Sequence, residues 1–371
     1  MYIKTSVKNL LWEQFLDGSF NRYDILVRFD AICKSQAKEE HAFDLYCKMD
    51  SIRVPCSPRE LNGRVTEFVR IINSFSVNGY SLDNPVLVNK QMHLLDGSHR
   101  AACALYFNTP LTLVAASTPN TPTYGRDWFA ESGFTEGELG YLDKLALRVL
   151  GTPQHIEQEL KRRESIRQEL CDIYKASGTN FGRGKFYQQF DLLKLEGQRP
   201  IVERFDQYKI CDKFPEHINV LDIGSNTGFM SLYIAPRVAH VDGIEMTPSF
   251  VTIANKAAEL LDIKNCTFHN TRFEDFAALR QYNVILSFAV HYYMKFTFTE
   301  YFQKVDSMLG TGGYFVLESG DLEAEDKDFD QKIEFMKSLN YEVYSSGSIK
   351  DDGIIFRRFV VMHKLPPPVV V

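Results

Sequence analysis

From residue 216 onward, short apolar runs alternate with longer amphipathic stretches. "INVLDIG", "HVDGIEM", "CTFHN" and "NVILSFAV" read as strands. Between them "FMSLYIA" opens a helix, and "TPSFVTIANKAAELLD" reads as a helix with Thr247 as cap and Pro248 behind it. "TEYFQKVDSMLG" reads as a helix ending at Gly310, "GGYFVLES" as a strand and "DFDQKIEFMKSLN" as a helix. "YEVYSS" and "IFRRFVVMHK", joined through "KDDG", close the chain as a hairpin with no helix between its strands. This alternation predicts an α/β fold with a mainly parallel, doubly wound sheet and one antiparallel strand at its end.

The first part of the chain mixes both periods. "NGRVTEFVRIINSF" (62–75) sets Val65, Phe68, Ile71 and Ile72 on one helical face. "PVLVNKQMHLLDG" reads as a hairpin, Val86–Val88 and Met92–Leu95, turning at Asn89–Lys90. A helix from Ala101 to Phe107 follows and is stopped by "NTP". Residues 116–126, "ASTPNTPTYGR", read as a loop and a domain edge. Thr152 then caps a long, charge-rich helix with Pro153 in its first turn. Ile156, Leu160, Ile166, Leu170 and Ile173 form its narrow apolar seam, and it is expected to bridge two domains. The expected division is residues 1–120, a helical linker over 121–180, and residues 181–371.

Composition narrows the classes. A chain of 371 residues, 44% hydrophobic, supports two cores better than one. The formal charge of -6 carries no basic footprint, so no nucleic-acid partner is expected. Seven cysteines, an odd number without a CxxC pair, read as free thiols in a reducing compartment. "MYIKTSVKNL" does not resemble a signal peptide, and there is no apolar run of 18 residues. A cytoplasmic protein with no membrane span and no metal site is expected. The tail "PPPVVV" is given no role.

Chemistry concentrates at strand ends. "VLDIGSNTGFMSL" places Asp222, Gly224 and Gly228 after an apolar strand. Glycines serve where a backbone turns sharply and approaches a ligand closely. The spacing is GxxxG, so the dinucleotide fingerprint GxGxxG is not met. Ser225, Asn226 and Thr227 in the turn suit a charged amino-acid moiety. Twenty-one residues after Gly224, Glu245 ends the second strand, where a carboxylate takes both hydroxyls of a ribose, with Met246 beside it. After the third strand, Glu274 or Asp275 reaches an adenine. The fourth strand ends in "SFAVHYY", with Ser287, Ala289 and His291 at the rim.

These residues resemble the class I S-adenosylmethionine-dependent methyltransferases over roughly residues 180–364. The resemblance implies a Rossmann-like, seven-stranded domain and S-adenosyl-L-methionine as cofactor. It implies cofactor contacts at Tyr187, Asp222, Gly224, Ser225, Asn226, Gly228, Glu245, Met246, Glu274 and Ser287. Upstream, "GKFYQQFDLLKLEGQRPIVERFDQY" resembles the lead-in of bacterial methyltransferases acting on glycans or small molecules. There Tyr187, Gln188, Arg199 and Arg204 are polar candidates. An arginine here either holds the methionine carboxylate by a bidentate pair or is a surface residue of a helix. His291 is the candidate general base for a hydroxyl acceptor; a phosphate acceptor, already ionised, needs positive charge instead. No "NPPY"-type tetrapeptide follows the fourth strand, which argues against methylation of a base or amide nitrogen.

"LLDGSHRAACALYF" (94–107) resembles the ParB/sulfiredoxin superfamily, in which a short box opens a helix and binds nucleotide phosphates. The earlier "YDILVRFDAI" (23–32) is taken as that family's first strand. Asp96, Gly97, Ser98, His99 and Arg100 are the expected nucleotide- or phosphate-binding residues. Ser98 stands where sulfiredoxin needs a cysteine, so reductase activity is not expected. "DGSHR" comes closest to a free-serine kinase box, which implies ATP or CTP with Mg2+. A non-catalytic recognition domain stands level with the kinase reading. The combined expectation is O-methylation of a glycan, phosphorylated glycan or small molecule, with a second, kinase activity possible in principle. The alternative is a nucleotide-gated regulatory or binding protein.

Overall fold

The computed structural model describes every residue except 1–2, 17, 80–83, 90, 116–122, 180–183, 211–212, 216, 323–325, 350–355 and 367–371. The expected turn residue Lys90, most of the loop 116–126, Cys211, the "KDDG" connection and the "PPPVVV" tail's last five residues therefore lie outside the described residues. The chain divides into two compact units, residues 2–165 and 166–371. The division falls inside the long charged helix.

The N-terminal unit contains, in order, β1 (Ile3–Thr5), α1 (Val7–Trp12), β2 (Phe15–Leu16), β3 (Ser19–Phe20), α2 (Tyr23–Gln36), α3 (Asp44–Arg53) and α4 (Pro58–Asn78). β4 (Val86–Val88), β5 (Leu94–Asp96), α5 (Ser98–Phe107), β6 (Leu111–Ala115), α6 (Arg126–Glu131), α7 (Glu136–Leu150) and α8 (Pro153–Ala176) follow. Its main sheet runs β1-β6-β4-β5, with only the β4–β6 pair parallel. Ser57 and Glu60 form a capping box at the start of α4, which extends the helix read at 62–75 by a turn upstream. Phe68, Ile72 and Phe75 are its buried residues.

Residues 23–32 form the helix α2, not a strand. Tyr23 to Arg28, Asp30, Ala31 and Ile32 are all buried, so the helix is covered on every side and its sequence shows no polar face. A run of this kind cannot be assigned from periodicity alone. The polar residues within it are paired internally. Arg22 holds Asp24 through Nε and Nη2 at 2.8 and 3.1 Å, and Arg28 donates to the same carboxylate at 3.1 Å. Burial raises the Asp24 carboxyl, but the two guanidiniums outweigh it and bring it down to about 2.

The C-terminal unit contains β7 (Phe186–Gln189), β8 (Gly197–Pro200), α9 (Ile201–Gln207), β9 (Asn219–Ile223), α10 (Phe229–Ile234), β10 (His240–Glu245), α11 (Pro248–Leu261) and β11 (Cys266–Asn270). It continues with β12 (Tyr282–Phe288), α12 (Phe298–Met308), β13 (Leu309–Glu318), α13 (Phe329–Ser338), β14 (Tyr341–Ile349) and β15 (Arg357–Lys364). The sheet order is β11-β10-β9-β12-β13-β15-β14. The first five strands are parallel, and β15 runs antiparallel to both of its neighbours. The antiparallel strand is thus inserted one place in from the edge: the hairpin puts β14 outside it. α12 ends at Met308, two residues before Gly310, because Leu309 is already extended and begins β13.

Leu221, Ile223, Ile244, Ile285, Phe302, Phe315 and Met336 belong to one buried cluster under the helices. At roughly 25 cal/mol per Å² of apolar area this burial is what holds the helices against the sheet. The order reverses between β9 and β12, where successive connections leave to opposite sides. In open parallel sheets this is where the carboxyl-end loops part and make a crevice.

Candidate functional site

The crevice is built by the loop after β9 and the segment after β12. Gly224 and Gly228 have φ of +70° and +75°, in the left-handed region. A Cβ on Gly224 would stand 2.4 Å from Val290 Cγ2; one on Gly228 would stand 2.6 Å from both Ala254 Cβ and the Phe268 ring. Glycine is required at both places on conformation and on space. Between them, the Ser225 and Thr227 hydroxyls are buried and have no hydrogen-bond partner. Such groups are costly unless something brings partners to them.

Two carboxylates flank this loop. Asp222, 2% exposed at the end of β9, accepts from Ser231 Oγ at 2.6 Å. Burial pushes its carboxyl up to about 6, against the pull of the Ser231 hydrogen bond and of Arg204, with Glu245 adding to the rise. Glu245, 8% exposed at the end of β10, accepts from the backbone N–H of Asn226 at 3.0 Å and of Thr247 at 2.8 Å. Each oxygen keeps a second lone pair for a ligand. Met246 follows and is 61% exposed, an unusual state for a large apolar residue beside a crevice. These features fit S-adenosylmethionine: a cradle that excludes Cβ atoms, two orphaned hydroxyls, a carboxylate for a cationic head and a carboxylate for a diol.

Other expected contacts are placed differently. Glu274 lies in the short turn Phe273–Asp275, and its Oε1 accepts from the Lys295 N–H at 2.8 Å. Burial raises its carboxyl, and that backbone bond among others brings it below the usual range. Asp275 is exposed. Ser287 is fully buried, and its hydroxyl accepts from Tyr301 at 2.8 Å. Its side chain thus has a partner in the core. Gln188 is buried and accepts from the Met230 N–H at 3.3 Å, which ties β7 to α10.

Arg199 and Arg204 are not surface residues. Both are buried against Glu318, at the end of β13. Arg199 Nη1 donates to Glu318 at 2.8 Å and to the Tyr187 hydroxyl at 2.9 Å. Arg204 reaches both Glu318 oxygens through Nη2, at 3.3 and 3.1 Å, and Tyr208 donates to the same carboxylate. Burial raises Glu318, but the two guanidiniums overcome it and hold the carboxyl at about 2. Half-buried Tyr187 is therefore set by an arginine whose other hand is on a core carboxylate. Sequence reasoning missed Glu318; the only available signal was a carboxylate closing an apolar strand in "FVLES".

His291 is 5% exposed, in a short turn right after β12. Its ring lies near those of Tyr292, Phe298 and Tyr301. Nε2 is 3.2 Å from Asp326 Oδ1 and 3.2 Å from Lys332 Nζ, while Nδ1 is buried without a hydrogen-bond partner. Asp326 is itself fully buried and accepts from the Gly320 N–H at 2.9 Å. It sits in "DLEAEDKDFD", an acidic run that reads as solvated, and no local pattern there singles it out.

In the N-terminal unit the box opens α5. Gly97 has φ +101°, and a Cβ there would stand 2.5 Å from Val86 Cγ1. Ser98 Oγ accepts from the buried Arg22 at 2.7 Å. His99 turns inward: Nε2 is 3.0 Å from the Tyr46 hydroxyl, and the ring packs edge-on against Phe68. Burial, with the charges of Arg28 and Arg53, lowers its proton affinity to about 2. His99 is thus a neutral ring at pH 7, turned toward Tyr46 and Phe68. Arg100 donates to the carbonyls of Asn84 and Pro85 and to Asp96 at 3.3 Å, so its guanidinium braces the turn before α5. Beside His99 lies a cavity of about 290 Å³ lined by Tyr46, Asp50, Arg53, Arg64, Glu67 and Phe68, among others.

The six described cysteines are free. Among the described residues no helix is long and apolar enough to cross a membrane.

Residues 215–351 match the family model of a methyltransferase domain. A 23S rRNA (uracil(747)-C(5))-methyltransferase of Pyrococcus horikoshii is 38% identical over 78 residues, which is 21% of this chain and 18% of that protein. The match thus spans under a fifth of the curated relative's length. Solved structures similar to this chain include the N-methyltransferase NodS of Bradyrhizobium japonicum WM9, 16% identical, with a TM-score of 0.38 over 44% of this chain and 96% of that one. An rRNA methylase of Streptococcus thermophilus is 15% identical, with a TM-score of 0.37 over 45% and 98% of the two chains. Magnesium protoporphyrin IX methyltransferase of Synechocystis PCC 6803 is 16% identical, with a TM-score of 0.36 over 44% and 77%.

Proposed function

We propose, from a C-terminal region that carries a class I S-adenosylmethionine-dependent methyltransferase domain, that the protein methylates a hydroxyl of a small molecule or glycan, with His291 as general base. The cofactor supplies an activated methyl group on a sulfonium. The glycine loop, Asp222 and Glu245 hold it, with Met246 against its base. The chain's own task is then to orient the acceptor and remove its proton. The observation that carries the reading is His291 Nδ1, buried and without a partner on a segment that packs against the glycine loop.

The short similarity to an rRNA uracil-C5 methyltransferase raises a second acceptor class. Carbon C5 of a uracil is a poor nucleophile and is activated when a thiolate adds to the ring. The segment after β12, "SFAVHYY", offers no thiol, and the described cysteine of this sheet, Cys266, opens β11 at the opposite end. The hydroxyl reading is therefore favoured. For the N-terminal unit we propose an accessory recognition domain; among its described residues no geometry favours phosphotransfer.

The test is production of S-adenosylhomocysteine from S-adenosylmethionine with a panel of hydroxyl-bearing mono- and oligosaccharides, and separately with an rRNA fragment. Turnover with a sugar, lost by 10²–10⁴-fold in His291→Ala at unchanged cofactor affinity, is expected for a general base. Turnover with the RNA alone overturns the acceptor class.

A further inference from the structure

The surroundings of His291 specify which of its nitrogens acts. A neutral imidazole carries one N–H and one lone pair. At Nε2 two groups compete at 3.2 Å each: the Asp326 carboxylate, an acceptor, and the Lys332 ammonium, a donor. Asp326 is held below the usual carboxylate range: burial raises its carboxyl, but the hydrogen bond with His291 and the bond and charge of Lys332 overcome it. Lys332 directs two of its three N–H groups to other acceptors. It donates to Asp326, pairs with Asp328 at 2.9 Å and stands over the Phe298 ring. If Nε2 accepted from Lys332, Nδ1 would carry a buried N–H facing no acceptor. If Nε2 donates to Asp326, Nδ1 carries a lone pair, and an acceptor hydroxyl is the partner it lacks.

We propose that Asp326 and Lys332 are positioning residues that place the proton of His291 on Nε2, so that Nδ1 is the atom that deprotonates the acceptor. This rests on the reading of His291 as base, and it deepens that reading. The acceptor is a neutral hydroxyl, not a phosphate oxygen, which is already ionised and needs no base. In the transfer the acceptor oxygen bonds to the methyl carbon as the carbon–sulfur bond breaks, the bonding pair stays on sulfur, and the oxygen's proton passes to Nδ1. The imidazolium so formed lies against Asp326, and the Lys332–Asp328 pair holds that carboxylate in place. The aromatic neighbours Tyr292, Phe298 and Tyr301 fix the ring plane from the other sides.

Long-range 1H–15N correlation on the full chain, labelled at histidine nitrogens, reads the tautomer directly. The His291 signals are identified by their loss in His291→Asn. The ligand-free protein is expected to hold His291 at least tenfold in favour of the Nε2–H form. Among the described residues Asp326→Ala leaves Lys332 as the only group at Nε2 and is expected to move the proton to Nδ1; Asp326→Glu restores the Nε2–H form. An Nδ1–H tautomer in the unaltered protein overturns the proposal, and that spectrum needs no variant to fold. An Asp326→Ala tautomer unchanged from the unaltered protein overturns it too. Calorimetry with S-adenosylmethionine is scored separately: a chain that does not bind it removes the methyl-transfer reading and leaves the tautomer result standing.

Discussion

Asp222→Asn should stabilise the ligand-free C-terminal unit while weakening its hold on the cofactor. The carboxyl is buried and raised from 3.8 to about 6, so at pH 8 the fold carries an ionised group it disfavours. At about 1.4 kcal/mol per tenfold, that strain is about 3 kcal/mol. The sign follows from proton uptake. The folded state binds the proton more tightly than the unfolded chain, so Asp222 favours folding below pH 4 and that contribution is lost as pH rises through 6. An asparagine is neutral throughout, and its carbonyl can still accept from Ser231. Its advantage should be about 3 kcal/mol at pH 8 and about half of that at pH 5. Both tryptophans, Trp12 and Trp128, lie in residues 2–165, so fluorescence reports the other unit. Amide exchange of peptides from β9 and β12, followed against urea, reads the C-terminal unit instead. A variant no more stable than the parent at pH 8, or an advantage that does not change between pH 5 and 8, refutes the reasoning.

Gly228→Ala forces a Cβ at 2.6 Å from Ala254 and Phe268 at φ +75° and should cost about 1–3 kcal/mol by the same exchange measurement, with loss of cofactor binding by calorimetry. Glu318→Gln leaves Arg199 and Arg204 facing each other without their shared carboxylate and should cost about 3–5 kcal/mol in urea unfolding of this unit. In the N-terminal unit, His99 stays neutral while the unfolded chain takes up a proton below pH 6.5, so acid should destabilise the fold. Discounted for a partly exposed ring, the loss from pH 7 to pH 5 is about 1–2 kcal/mol, read by tryptophan fluorescence in urea, and His99→Phe should remove it. If the 290 Å³ cavity takes a nucleotide, ATP or CTP should raise the fluorescence-detected melting temperature and Arg64→Ala should abolish the rise; no rise with either removes a nucleotide from this cavity.

The strands β9 to β12 were legible because each is a short apolar run closed by a turn, and their parallel alternation follows from the helices between them. The glycine loop and Glu245 were legible for a related reason: both sit at strand ends, where chain position predicts place in the crevice. Helix α2 was not legible, because a helix buried on all sides loses the polar face that marks the 3.6-residue period. The Arg199–Glu318 pair is separated by 119 residues, and no local pattern announces it. Asp326 and Lys332 are hidden differently: they lie in a stretch rich in acids, and only the packing shows which one is buried. His99 is the reverse case: the box singles it out, but only the packing shows that its ring turns inward.

The central claim is that the crevice after β9 and β10 binds S-adenosylmethionine through Glu245. Titration calorimetry of the full chain with S-adenosylmethionine tests it directly, comparing the unaltered protein with Glu245→Ala. The account predicts one saturable site in the former and at least a hundredfold weaker binding in the latter, with β9 exchange unchanged. Equal affinity in the two proteins, or no binding to the unaltered chain, contradicts it.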